Sequence, residues 1–189
     1  MIRPFFQFYG GKWRIATKYP RPVYDVIVEP FAGGAGYSLR YPERNIILFD
    51  KDPVIAGVWN YLIRTPEQEL LELPDVADGQ NVNSLLVCQE ARWLIGFWLQ
   101  MGVACPRLTR STFGKSASAN NSVNGWGAKT RERLASQVRH IRHWKMVEGG
   151  YEQASDLGPA TWFIDPPYSN RAGRSYRFHD VDYMPLAAW

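Results

Sequence analysis

Residues 26–36 read Val-Ile-Val-Glu-Pro-Phe-Ala-Gly-Gly-Ala-Gly. Three apolar β-formers run into a short turn, and small residues then open into Tyr37-Ser38-Leu39. That succession predicts a strand, a glycine-rich loop and the start of a helix. Gly33, Gly34 and Gly36 remove side chains where backbone must approach a ligand closely. A second apolar run, Ile46-Ile47-Leu48-Phe49, ends in Asp50. An acid at the tip of the next strand is the usual partner of ribose hydroxyls in nucleotide-type sites. Asp50 and Asp52 also stand where they would cap the following helix, and the two roles are compatible.

Further along, the apolar run Thr161-Trp162-Phe163-Ile164 reads as a buried strand and leads into Asp165-Pro166-Pro167-Tyr168. Open α/β sheets bind their ligands at the carboxyl ends of strands. The two prolines fix φ and leave carbonyls free as acceptors. A carboxylate beside such carbonyls is an all-acceptor cluster, suited to an amino group, and Tyr168 adds a flat face for a planar ring. Taken alone, Pro-Pro after a strand is as often a rigid turn.

Between these motifs the chain alternates helical and loop patterns. Residues 54–73 predict one or two helices interrupted at Pro66. Residues 85–101, with Leu86, Trp93, Leu94, Phe97 and Trp98, predict a strongly buried helix whose tryptophans fill core. Residues 111–127 are rich in Ser, Asn, Gly and Ala and read as a loop. Phe113 and Trp126 within it are candidates to wedge into a base step or to pack on their own domain. Residues 128–144 predict a helix with Leu134, Val138 and Ile141 on one face. His140 and His143 on that helix read as surface histidines.

Charge is concentrated in the same region. Residues 107–145 hold nine Lys or Arg against a single acid, Glu132, whereas the whole chain carries only +4. So lopsided a block reads as an electrostatic footprint for phosphate backbone, with Arg110, Lys115, Lys129 and Arg131 as expected contacts. The plainer alternative is a solvated helix face.

At the amino terminus stands Phe8-Tyr9-Gly10-Gly11-Lys12. A phosphate-binding P-loop needs a longer glycine spacing and a following Ser or Thr, so this segment is not one. The order Gly-Gly-Lys, Glu-Pro-Phe-Ala-Gly-Gly, an Asp-ended strand, a variable segment and Asp-Pro-Pro-Tyr resembles the Dam-type DNA adenine-N6 methyltransferases, over residues 5 to about 170. The resemblance implies a Rossmann-like α/β core of residues 1–83 and 145–189, with a mainly helical target-recognition insertion at 84–144. It implies S-adenosylmethionine as cofactor, with Phe8, Lys12, Phe31, Gly33, Asp50 and Asp165 around it. It implies duplex DNA as partner, with Asp165 and Pro166 accepting the target amino protons and Tyr168 stacking on a flipped base.

Three features depart from the family pattern. Ala35 stands where the family's loop has its second glycine, and Gly150 where a polar residue often meets the cofactor's adenine, with Tyr151 beside it to supply an aromatic contact. Only 21 residues follow Tyr168, so the chain reads as a member cut short, its catalytic strand near an open sheet edge. A catalytically incompetent DNA-binding remnant stays open as an alternative, as does a related enzyme for RNA adenine or cytosine N4. Asp at position 165 leans towards adenine, since in this resemblance the cytosine enzymes more often carry Ser.

Composition bounds the rest. At 189 residues and 46% hydrophobic, the chain has material for one sizeable core. No apolar stretch reaches transmembrane length and the amino terminus lacks a secretory pattern, which makes the cytoplasm the expected location. Cys88 and Cys105 are isolated and read as reduced packing thiols. No His/Cys/Asp cluster has metal-ligand spacing.

Overall fold

The computed structural model describes residues 1–110, 125–154, 157–171 and 173–189. Four strands form one all-parallel sheet in the order β3-β2-β1-β4. They are β1 Val26–Glu29, β2 Asn45–Asp50, β3 Lys145–Glu148 and β4 Thr161–Trp162. The helices are α1 Pro53–Arg64, α2 Glu67–Glu72, α3 Gln89–Trp98, α4 Ala128–Val138 and α5 Tyr183–Ala188. The protein is therefore α/β, with an architecture compatible with a Rossmann-like core.

Both faces of the sheet are covered, as parallel sheets require. Successive residues of β1 and β2 point to opposite sides. Ile27, Ile46 and Leu48 enter the larger core, while Val28 and Phe49 enter a smaller one with Ala154 and Ala160. Helix α1 begins at Asp52, whose side chain accepts the Val54 N–H at 2.9 Å, with Pro53 in the first turn, where no N–H is needed. It buries Ile55, Val58, Trp59 and Leu62 along one stripe and stops before Pro66.

The described residues of segment 84–144 join the main core. Phe97, Trp98, Trp126, Leu134 and Val138 belong to the same cluster as Ile27 and Leu48. Helix α3 is shorter than the apolar pattern suggests. Asn81 caps a 3-10 turn at Val82–Ser84, the chain bends through residues 85–87 before the helix, and Leu86 is left fully exposed. Trp98 is core filler, its Nε1 donating to the Phe5 carbonyl at 2.9 Å. Helix α4 gives way to a 3-10 turn at Arg139–Ile141, and Leu134, Val138 and Ile141 are buried as its spacing requires. His140 and His143 are exposed, and both cysteines are free, Cys88 at the surface.

Two strands differ from expectation. Strand β3 carries charges at both ends and only two apolar residues, too little pattern to read as a strand, and it pairs with β2 alone. Strand β4 spans only Thr161 and Trp162, with Phe163 N adding one bond to the Val28 carbonyl at 2.9 Å. Ile164 is exposed, and the prolines beyond it have no N–H to extend a ladder. Strand β4 is an outermost strand, and Trp189 packs edge-on against its Trp162 at 5.0 Å. Among the described residues no helix is long and apolar enough to cross a membrane.

Because one core serves the sheet, α3 and α4, the chain should unfold in urea as a single transition. Leu134→Ala should shift that whole transition, at a cost of about 2–5 kcal/mol. A variant that moves only part of a split transition would show that the insertion folds as a separate unit.

Candidate active site

Strands β2 and β3 lie on one side of β1 and β4 on the other, so chain direction across the sheet reverses between β1 and β4. At such a switch point the loops leaving the two strands diverge and leave a crevice. A cavity of about 610 Å³ lies there, lined among others by Phe8, Lys12, Phe31, Asp50, Asp165 and Tyr168. Every residue expected at the cofactor and the catalytic motif thus borders one cavity, with Gly33 and Pro166 also in its wall.

Asp50 organises one end. Its Oδ2 accepts the Gly33 N–H and its Oδ1 accepts the Asp52 N–H, both at 2.9 Å. The helix cap falls to Asp52 instead. The tip of β2 therefore fixes the glycine loop, and Trp59 of α1 fixes it from below through Nε1 to the Gly33 carbonyl at 2.8 Å. Ala35 adopts φ 47°, a left-handed conformation that glycine enters freely and that costs an alanine about 1–2 kcal/mol. Phe31 and Tyr151 face one another at 5.8 Å beside this end, and Lys51 stands over Tyr151 while pairing with Glu152 at 3.0 Å.

The other end is built by Lys12 and the tetrapeptide. Lys12 Nζ lies 2.6 Å from Asp165 Oδ2 and donates to the Gly10 carbonyl at 3.0 Å. Burial works to lower the lysine's pKa, but its hydrogen bond and charge pairing with Asp165 outweigh that and hold the ammonium above its ordinary value. Gly36 makes this reach possible. A Cβ there would stand 2.8 Å from the Lys12 backbone nitrogen, so the amino-terminal segment crosses directly over the loop. Tyr168 is half-exposed, its hydroxyl donating to Asp165 Oδ1 at 3.3 Å and its ring 5.3 Å from Lys12 Nζ.

Between the two ends sits Glu29, at the carboxyl end of β1 and 2% exposed. Its Oε1 accepts the Ser38 N–H at 2.7 Å. Burial raises its pKa to about 7, with the nearby Asp165 charge adding to the rise. Asp50 is raised to about 6 by burial, the hydrogen bonds from Asp52 and Gly33 working against the rise. Sequence reading passed over Glu29 as a site residue. Its position directly before Pro30, at the strand end, was the available signal.

The basic block is less available to a ligand than its charge count suggests. Arg110 donates from Nε to the Val76 carbonyl at 2.6 Å. Arg131 pairs with Asp75, and Arg142 spans the carbonyls of Ile63 and Thr65. Arg133 donates to the Pro4 carbonyl at 2.9 Å and sits over Trp98 at 5.0 Å. Trp126 is fully buried, its Nε1 on the Pro74 carbonyl at 2.8 Å, so it packs on its own domain. Lys129 is exposed, and Lys115 and Phe113 lie outside the described residues. None of Arg110, Lys129 and Arg131 lines the cavity.

Beyond Tyr168 the chain continues along the same cavity. Tyr176, Arg177, Phe178 and Val181 line it, a role their sequence did not signal. Arg171 and Arg174 stand exposed in this stretch. Among the described residues no group of three or more His, Cys, Asp or Glu is placed to hold a metal ion. No protein-family model matches this chain, and no characterised protein matches it in sequence.

Glu29 gives the site a pH signature. A carboxyl whose folded pKa is raised binds protons more tightly when folded. Its stabilising contribution is present below its ordinary pKa of 4.5 and is lost as pH rises through about 7. Glu29→Gln should remove that loss. The variant should gain on the order of 3 kcal/mol on the wild type between pH 4.5 and pH 7.5. Parallel urea titrations across this window would refute the assignment if the two proteins tracked each other.

Proposed function

We propose that this protein transfers a methyl group from S-adenosylmethionine to N6 of adenine in DNA. One observation carries the reading: the Asp165 carboxylate and the proline carbonyls of the Asp-Pro-Pro-Tyr corner, backed by Lys12, share a cavity with a glycine loop fixed by a strand-tip acid.

The residues present suit the cofactor. The cavity falls within the size range of sites for molecules of that class. Each Asp50 oxygen accepts one backbone N–H and retains capacity for a ribose hydroxyl. Phe31 and Tyr151 offer rings for the adenine, and Lys12, Phe8 and Gly33 border the remainder. When bound, S-adenosylmethionine supplies a methyl group activated on a sulfonium sulfur.

The chain's own part is to make an aromatic amine nucleophilic and to take up its proton. The lone pair of an exocyclic amino nitrogen is delocalised into its ring. Accepting a hydrogen bond from each N–H, one at Asp165 and one at the Pro166 carbonyl, favours the pyramidal form in which the pair is available. Asp165 Oδ2 is held by Lys12, whereas among the described residues Oδ1 carries only the long bond from Tyr168. Oδ1 is therefore the oxygen for the amino proton. Tyr168, half-exposed at the lip, presents its ring to a base taken out of the duplex. Holding the amine in place is itself a large part of the rate gain.

The DNA backbone would be met by cations the fold does not already use. Lys129, Arg171 and Arg174 are exposed, and among the described residues no hydrogen bond or ion pair holds their side chains.

Calorimetric titration with S-adenosylmethionine should give saturable micromolar binding. Asp165→Ala should lower transfer to an adenine-containing duplex at least about 10²-fold while leaving DNA affinity near that of the wild type. Full activity in that variant, or no cofactor binding by the folded chain, would sink the reading. The salt dependence of DNA binding separates the cations. Replacing Lys129, Arg171 and Arg174 by Ala should reduce the log–log slope by about 0.9 for each phosphate no longer neutralised. Arg131→Ala should leave that slope unchanged.

A further inference from the structure

Residues 176–178, 180–182 and 185 line the cavity, and the segment 173–185 that carries them is held there by a few side-chain contacts. The Tyr176 hydroxyl donates to the Tyr9 carbonyl at 3.1 Å, Arg177 reaches Asp52 Oδ1 at 3.4 Å, and the Tyr183 hydroxyl donates to the Pro167 carbonyl. The segment adds no strand to the sheet, and its helix α5 buries no residue. A stretch fastened in this way opens at a small fraction of the global unfolding free energy.

One fastening is shaped for its partner. Gly10 adopts φ 71°, and a Cβ there would collide with the Tyr176 hydroxyl oxygen. The missing side chain is the notch in which that hydroxyl sits. The Gly10 carbonyl meanwhile accepts Lys12 Nζ at 3.0 Å. A single residue thus seats Tyr176 on one side and the lysine of the Lys12–Asp165 pair on the other. The Tyr176 ring also lies 5.8 Å from Phe8. Phe8 fills the space beside Gly33, where a Cβ would stand 2.8 Å from its ring, and Gly33 in turn donates to Asp50. Contact is continuous from this segment to both ends of the cavity.

We propose that residues 173–185 are a strap that closes over the cavity and is latched by Tyr176 in the Gly10 notch. Tyr176 is then a positioning residue, acting through Gly10 on Lys12 and through Phe8 on the glycine loop. Only the identity of the ligand under the strap rests on the function proposed above.

Hydrogen exchange of the strap amides, without ligand, tests the latch in four proteins: wild type, Tyr176→Phe, Gly10→Ala and the double variant. Each single change should speed exchange across 173–185 by roughly three- to tenfold. The double variant should match Gly10→Ala alone, because a filled notch already expels the hydroxyl. Gly79→Ala is the control. Gly79 has φ 74°, with nothing near its missing Cβ, so it carries the same backbone strain without a notch. It should destabilise the fold as Gly10→Ala does, yet leave strap exchange unchanged. Additive effects in the double variant, or equal strap exchange in Gly79→Ala and Gly10→Ala, would overturn the latch. A second arm measures the dissociation rate of S-adenosylmethionine, which should rise in the same order as strap exchange. A chain that binds no S-adenosylmethionine would defeat the proposed function while the exchange arm still decides the latch. Binding with a dissociation rate blind to both substitutions would refute the positioning role alone.

Discussion

Lys12 and Asp165 approach to 2.6 Å, and that contact ties the amino-terminal segment to the end of β4. Much of the site follows from it. The lysine arrives from a loop that crosses the glycine turn, which requires Gly36 to lack a side chain. The aspartate stands three residues beyond the short strand β4, directly before two prolines. The pair is only partly buried, 12% and 24% exposed, so it keeps enough solvation to avoid the full cost of a buried ion pair. It also spends one carboxylate oxygen on the lysine, while the other accepts the Tyr168 hydroxyl at 3.3 Å.

The acids around this pair sit in different environments and acquire different properties. Glu29 lies in the sheet interior with a single backbone donor and is raised to about 7. Asp50 lies at a strand tip with two backbone donors and is raised less, to about 6. Asp52 spends its carboxylate on the helix cap. Three acids within 24 residues of sequence thus serve as a proton-holding wall, a loop clamp and a helix start, according to burial and the donors within reach.

The nine cations of residues 107–145 show where charge counting fails. A sequence records each guanidinium but not the carbonyls it will meet. Arg110, Arg133 and Arg142 are drawn into the fold as donors to backbone acceptors, and Arg131 to an acid, because arginine can bridge several carbonyls while its stem packs on apolar surface. Arg171 and Arg174, outside the block and unremarkable by composition, are left exposed. Net charge bounds the possible partners, but availability is decided by folding.

Local chemistry is what the sequence determined by itself. The β1–glycine loop unit, the acid at the tip of β2, the strand ahead of the two prolines and the apolar stripes of α1 and α4 all follow from propensities acting within a few residues. Strand β3 escaped notice because its pattern is two residues deep, and Leu86 misled because an apolar residue carries no mark of the side it will face. The tertiary structure alone decided that β4 joins β1 on the side away from β2, which opens the crevice where the motifs meet. It also decided that the stretch after Tyr168 lines that crevice, with Tyr176 in the space Gly10 leaves. Both depend on contacts between residues distant in the chain, whose free energy comes from shape and burial that no local window contains.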